Sequence, residues 1–237
     1  MFFQNKTFKE IDSFIMEANR NGTNFDSVRL LQQTLPVCRK QITNHIQRWK
    51  DCRDCSLGQS AYVNNRIFYR GYVPADILFL IDAPSTVDDA SFRPAMDERG
   101  WLLDCLIKEA STQLFGKDNG FRWCISNAVC CTNFCKGEYE VPTTEEIRAC
   151  GKRLVEFLRI ADPKIIITFG PVPDRAIKLI NKEGLLSSSI LVQNHSRLES
   201  ILKQTKDQDV SQMRIILSIM SLYRKCFPDA TSTIQTN

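Results

Sequence analysis

Two short apolar runs, Asp76 to Ile81 and Lys164 to Phe169, each stop abruptly on residues that cannot continue a strand, Asp82-Ala83-Pro84 and Gly170-Pro171. Apolar runs of this length bounded by breakers read as strands buried on both faces. Around them, Glu98 to Ala110, Thr144 to Ile160, Ala176 to Asn181 and Val210 to Cys226 carry apolar residues at helical spacing. Arg66 to Tyr69, Phe121 to Ser126 and Ile190 to Val192 read as further strands. The helix at Thr144 is announced by Pro142-Thr143-Thr144-Glu145-Glu146, a threonine cap with acidic residues in the first turn. Strands alternating with helices predict an α/β fold, a three-layer α/β/α sandwich with a mostly parallel central sheet. Residues 7–19, 26–34 and 39–49 predict N-terminal helices ahead of it. The expected organisation is a helical segment over 1–49, one α/β domain over 50–228 and a frayed tail over 229–237. In such sheets the functional site lies beyond the carboxyl ends of the strands. Asp82, Asn127, Gly170-Pro171 and His195 all fall there.

The chain has 237 residues, 43% hydrophobic and 24% charged, as in ordinary globular proteins. It has no apolar run of about eighteen residues, the length a membrane span needs. Its first residues, MFFQNKTFKEIDSF, lack the apolar core of a signal peptide, so a cytoplasmic location is expected. A net charge of +4 is compatible with a polyanionic partner and does not establish one.

Ten cysteines in a reducing compartment are not expected to form five disulfides. Cys38, Cys105, Cys124 and Cys226 lie among apolar neighbours and read as core residues. Cys52 and Cys55 form Cys52-Arg53-Asp54-Cys55 in a polar stretch, a spacing that lets two thiolates reach one metal. A redox pair is the rival reading of a lone CxxC. Cys130, Cys131, Cys135 and Cys150 follow downstream and make a four-thiolate metal site the stronger reading.

In order, the chain shows a CxxC, a strand ending in acid-Ala-Pro, an Asn before a cysteine pair, Cys150, the run PKIIITFGP and the loop NHS. This order resembles the iron–sulfur, family 4 branch of the uracil-DNA glycosylase superfamily, over roughly residues 50 to 225. The family's Gly-Glu-Ala-Pro-Gly pattern falls on Ile81-Asp82-Ala83-Pro84-Ser85, with a second acid at Asp88. Its strand-end Asn and following cysteine fall on Asn127 and Cys131. Its last cluster cysteine falls on Cys150, behind Glu146-Ile147, and its His-Pro-Ser loop on His195-Ser196, where the proline is absent.

The resemblance implies a monofunctional DNA glycosylase acting on a flipped-out nucleotide and leaving an abasic site. Asp82 would orient a water and stabilise an oxocarbenium-like sugar, with Asp88 assisting, and His195 would stabilise the departing base. The bland alternatives are an Asx-type turn cap for Asp82 and a solvated loop residue for His195. Ala83, Pro84, Ala95 and Asn127 would form the base pocket. Arg93, Arg99, Lys136, Ser196 and Arg197 are candidates to contact DNA. Cys52, Cys55, Cys131 and Cys150 would hold a [4Fe–4S] cluster, with zinc as the rival metal and Cys130 or Cys135 as substitutes for Cys131. A monomer with DNA as partner is expected.

The departures from the family pattern matter as much. The acid is shortened to Asp82, and both flanking glycines are replaced. The family's base-stacking Phe aligns with Ala95, although stacking a base on an aromatic ring is worth about 1–3 kcal/mol. A roomier pocket is the simpler expectation. It points towards relatives that excise bulky, glucosylated hydroxymethylcytosine from viral DNA in phage defence. Uracil repair, and a DNA-binding relative without turnover, are the alternatives.

Overall fold

The structure, a computed structural model, describes residues 38–60, 65–116, 120–135, 138–204 and 208–232. The expected helices over 7–19 and 26–34 lie outside these residues. Five strands form the central sheet: β1 (Tyr69–Gly71), β2 (Ile77–Ile81), β3 (Trp123–Asn127), β6 (Ile165–Phe169) and β7 (Leu191–His195). Their spatial order is β1-β3-β2-β6-β7. Only β1 is antiparallel to its neighbour; the other pairs are parallel. A separate two-stranded hairpin joins β4 (Phe134–Cys135) to β5 (Glu138–Tyr139).

The two apolar runs are wholly buried because the sheet is covered on both sides. Leu78, Leu80, Cys124 and Ile166 face one core, against helical residues 38–49 (α1), α2 (Ser56–Gln59), α5 (Thr144–Ala161) and α6 (Pro171–Lys182). Ile77, Phe79, Ile81, Ile125, Ile167 and Phe169 face the other. That core is closed by α4 (Glu98–Phe115), α7 (Leu198–Leu202) and α8 (Gln208–Cys226). The alternation of side chains along each strand thus builds three layers from one sheet. Among the described residues no helix is long and apolar enough to cross a membrane.

Several boundaries move for identifiable reasons. Pro171 is the first residue of α6 and does not delay it, because a first-turn residue needs no hydrogen-bond donor. Thr143 caps α5 with its hydroxyl on the Glu146 backbone amide, and Glu146 returns the bond to the Thr143 amide. The expected strand at 66–69 becomes β1, starting at Tyr69, where pairing with β3 begins. Cys105 is exposed on the outer side of α4, contrary to its reading as a core residue, whereas Cys38 and Cys124 are buried. The expected tail starts as a helix, α9 (Pro228–Ser232), and 233–237 lie outside the described residues.

Candidate active site

All four parallel strands point their carboxyl ends the same way, so Asp82, Asn127, Gly170 and His195 gather at one edge. Ile81 and Asn127 are register partners. The Ala128 amide donates to both Ile81 O (2.8 Å) and Asp82 O (3.0 Å), tying the two strand ends together. Ala83 and Pro84 are buried in the turn that follows. Ser85 then caps a short helix, α3 (Thr86–Ser91), where the residue pattern predicts only a proline turn.

Asp82 is 6% exposed. Its Oδ1 makes no hydrogen bond, and its Oδ2 lies 3.3 Å from Arg197 Nε as an ion pair. Burial pushes the carboxyl pKa up to about 6. Arg197 and Arg99 oppose that rise, and the Glu199 charge adds to it. The passage of Arg197 depends on Gly170, at φ 104, where an added Cβ would lie 2.7 Å from Arg197 Cγ and 3.1 Å from Asp82 Oδ1. Gly170→Ala is expected to drive Arg197 off Asp82 and to cost about 1–3 kcal/mol in backbone strain. Thermal denaturation and a pH–activity profile check this; a variant unchanged in both would refute it.

Asp88 is fully buried and already occupied. Its Oδ2 accepts from the Ser85 amide at 2.9 Å and its Oδ1 from the Met96 amide at 2.6 Å, with Arg99 Nη2 at 3.6 Å. It organises the loop from Ser85 to Met96 as a structural anion. Asn127 is the reverse: it is fully buried, and neither atom of its side-chain amide has a hydrogen-bond partner.

A small, open cleft lies beside Asp82, lined by Ile81, Asp82, Arg99, Phe169, Leu198 and Glu199. Ala95 is not among the lining residues. It is 2% exposed, and its carbonyl accepts from Arg70 Nη2 at 3.2 Å. A Cβ on Gly100 would stand 1.7 Å from that carbonyl oxygen, so loop and helix α4 meet backbone to backbone.

His195 is half-buried; its Nε2 lies 3.2 Å from Ser218 Oγ on α8. Its ring stacks on Phe169, a cleft residue, at 5.9 Å between centroids. Burial lowers its pKa, which leaves a neutral imidazole at pH 7.

The candidate DNA contacts divide. Arg93 and Ser196 are exposed. Arg99 is buried and held by Asp97 (2.6 Å) and Glu199 (3.0 Å), so its charge is spent inside the protein. Arg197 likewise faces Asp82. Lys136 lies outside the described residues. Sequence reasoning missed Phe169, Leu198 and Glu199 as cleft residues, the last two from a five-residue helix with no periodicity to detect.

On the opposite core, Cys130, Cys131 and Cys150 come together, with Cys52 and Cys55 nearby. Cys130 Sγ lies 4.0 Å from Cys131 Sγ and 3.9 Å from Cys150 Sγ. Cys52 and Cys55 stand within electrostatic reach of Cys150, and burial raises the pKa of each. The CxxC turn is held by Arg66, which donates to Cys52 O and Gly58 O, each at 2.8 Å from Nη2. Cys130 is therefore the nearer partner of Cys150 than the expected Cys131, because α5 presents Cys150 to the first cysteine of the pair. The Cys135 side chain is outside the described residues. Among the described residues no group of three or more His, Cys, Asp and Glu is disposed to hold a metal ion as it stands. The donor set still fits a thiolate-bound metal, since thiolates are its ligands. A buried guanidinium nearby, Arg153, also has unmet donors.

No family model matches the chain. Over 121 residues it is 34% identical to the type-4 uracil-DNA glycosylase of Sulfurisphaera tokodaii, covering 50% of each chain. Over 124 residues it is 27% identical to the type-4 uracil-DNA glycosylase of Thermotoga maritima, covering 52% of this chain and 59% of that one. The chain thus spans about half the length of these relatives. A solution structure from Methanosarcina acetivorans, of a proposed uracil DNA glycosylase, overlays on 65% of this chain and 97% of that one. Its TM-score is 0.41 and its identity 10%, a distant likeness.

Proposed function

We propose that this chain, a family 4-like relative within the uracil-DNA glycosylase superfamily, is a monofunctional DNA glycosylase that hydrolyses the N-glycosidic bond of a flipped non-canonical pyrimidine. The observation that carries the reading is the pairing of two unmet polar groups at adjacent strand ends. Asp82 has a free buried Oδ1, and Asn127 has a wholly unpartnered buried amide. Leaving an amide unpaired in a protein interior costs about 1–3 kcal/mol, so its persistence speaks for a ligand that pairs with it.

In this reading Asn127 offers its donor and acceptor to the Watson–Crick edge of the base. Asp82, ionised above pH 6, orients water by accepting its proton and stabilises positive charge developing on the sugar. Arg197 keeps that carboxylate ionised in a buried setting. His195 supplies an N–H to the departing base. This role requires the proton on Nδ1, with Nε2 accepting from the Ser218 hydroxyl. Asp88 supports the loop rather than the water. Arg93, Lys136 and Ser196 are left to meet phosphates. A [4Fe–4S] cluster, or zinc, would be held by Cys52, Cys55, Cys150 and Cys130, with Cys131 the alternative fourth ligand. It would supply structural cross-linking of the CxxC turn to α5.

The base itself is proposed to be bulkier than uracil, such as glucosylated hydroxymethylcytosine in phage DNA, which would place the protein in antiviral defence. Support comes from the resemblance, in which Ala95 falls where the family stacks a ring; in the fold Ala95 is 2% exposed and does not line the cleft. Uracil is the second reading, favoured by the names of the relatives. Duplexes carrying uracil, hydroxymethylcytosine or its glucosylated form, followed by alkaline cleavage of abasic sites, test this. Strand cleavage at the glucosylated base is expected. Product from uracil alone selects the second reading, and no product from any duplex rejects the enzyme. Ala95→Phe is expected to lower action on the bulky base by tenfold or more, about 1.4 kcal/mol in the barrier. Unchanged turnover there would remove the pocket argument.

A further inference from the structure

Arg153 is the largest fully buried side chain described, at 1% exposure, and it is an arginine. It lies on α5 one turn beyond Cys150. Its Nη2 donates to Asn127 O at 2.7 Å and to Ala128 O at 3.2 Å, the end of β3. Its Nε and Nη1 are buried with no oxygen or nitrogen partner, and the guanidinium faces the Cys150 sulfur. A guanidinium carries five donors and cannot shed its charge in a protein. Burying it with two nitrogens unmet is costly unless an anion stands beside it. The groups whose charge acts on it most are the sulfurs of Cys150, Cys130 and Cys131.

We infer that Arg153 is the counter-charge of an anionic sulfur site and a positioning residue that couples this site to the base-reading strand end. The inference rests on the metal reading of the cysteines given above. A neutral thiol is only a weak acceptor for a guanidinium, whereas four thiolates around a metal would carry net negative charge beside it. The same planar group grips Asn127 and Ala128 by their carbonyls. The sulfur site and the end of β3, which carries Asn127, are therefore joined through one guanidinium.

Arg153→Met and Arg153→Lys, reconstituted anaerobically with iron and sulfide, test the inference through the cluster's reduction potential and through KM and kcat on the cleaved duplex. Reduction adds a negative charge, so losing the cation in Arg153→Met is expected to move the potential to a more negative value. Arg153→Lys keeps the charge and is expected to stay near the wild-type potential. It lacks the planar fork, so KM should rise severalfold with kcat little changed. A potential in Arg153→Met equal to wild type overturns the counter-charge. A wild-type KM in Arg153→Lys overturns the coupling. If Arg153→Met does not fold, Arg153→Lys decides both parts, since a potential displaced despite the retained charge also refutes the first. Failure of the wild-type protein to take up iron removes the iron reading and this inference with it.

Discussion

Asp82→Asn is expected to reduce base release by about 10²–10⁴-fold while DNA affinity stays nearly unchanged, since the charge it removes is needed mainly in the transition state. In the unsubstituted protein, activity should rise as pH passes through about 6, when Asp82 loses its proton. Arg197→Ala should move that limb to higher pH and Glu199→Gln to lower pH, because their charges act on Asp82 in opposite senses. Stability carries the opposite sign. The folded pKa lies above the ordinary value of 3.8, so this group favours folding at low pH and loses that contribution as pH rises through about 6. The difference corresponds to on the order of 3 kcal/mol. Asp82→Asn should therefore raise the melting temperature at neutral pH even as it abolishes turnover. Wild-type turnover in this variant would end the proposed mechanism. An unchanged melting temperature would show that Asp82 is not strained.

Cys150→Ala is expected to yield protein without bound metal and largely unfolded. Binding at structural metal sites is worth on the order of 10 kcal/mol. That is comparable with the whole stability of a domain, about 5–15 kcal/mol. Cys130→Ala should behave the same way. Cys131→Ala should retain metal and lose only what a buried sulfur contributes to packing. Iron and sulfide content, with the brown colour of the cluster, separates these outcomes. Colourless protein with stoichiometric zinc would replace the iron assignment, and metal retention by Cys150→Ala would refute the site.

The layers of the fold were legible because burial on both faces writes itself into the sequence. Ile77–Ile81 and Ile165–Phe169 contain no polar residue except Thr168, so neither face of either strand is suited to meet water. The strand-end positions of Asp82 and Asn127 followed from those boundaries. What they touch did not. Arg99 and Arg197 are indistinguishable from surface cations in sequence, yet one is enclosed by carboxylates and the other lies on Asp82. Their partners Asp97 and Asp82 lie 2 and 115 residues away, and only the folded sheet end brings the second within reach. Asp88 shows the reverse confusion. The second acid expected after Asp82 also closes a capping box with Ser85, and that cap is a contact the carboxylate makes. Arg153 had no sequence signal, since an arginine between helical positions reads as a solvated face.

The shared amide of Ala128, bonded to the carbonyls of both Ile81 and Asp82, restricts how such a protein can diversify. Two strand ends joined at that point cannot be spread apart to admit a larger base without breaking the ladder that holds them. Adaptation to a new substrate must then come from segments that leave the sheet and return. These are the stretch between Ser85 and Gly100, the β4–β5 hairpin and the short helix after His195. A lineage could exchange these loops freely while the paired acid and amide stayed where they are. Changes of substrate would then appear as loop substitutions on an unaltered frame.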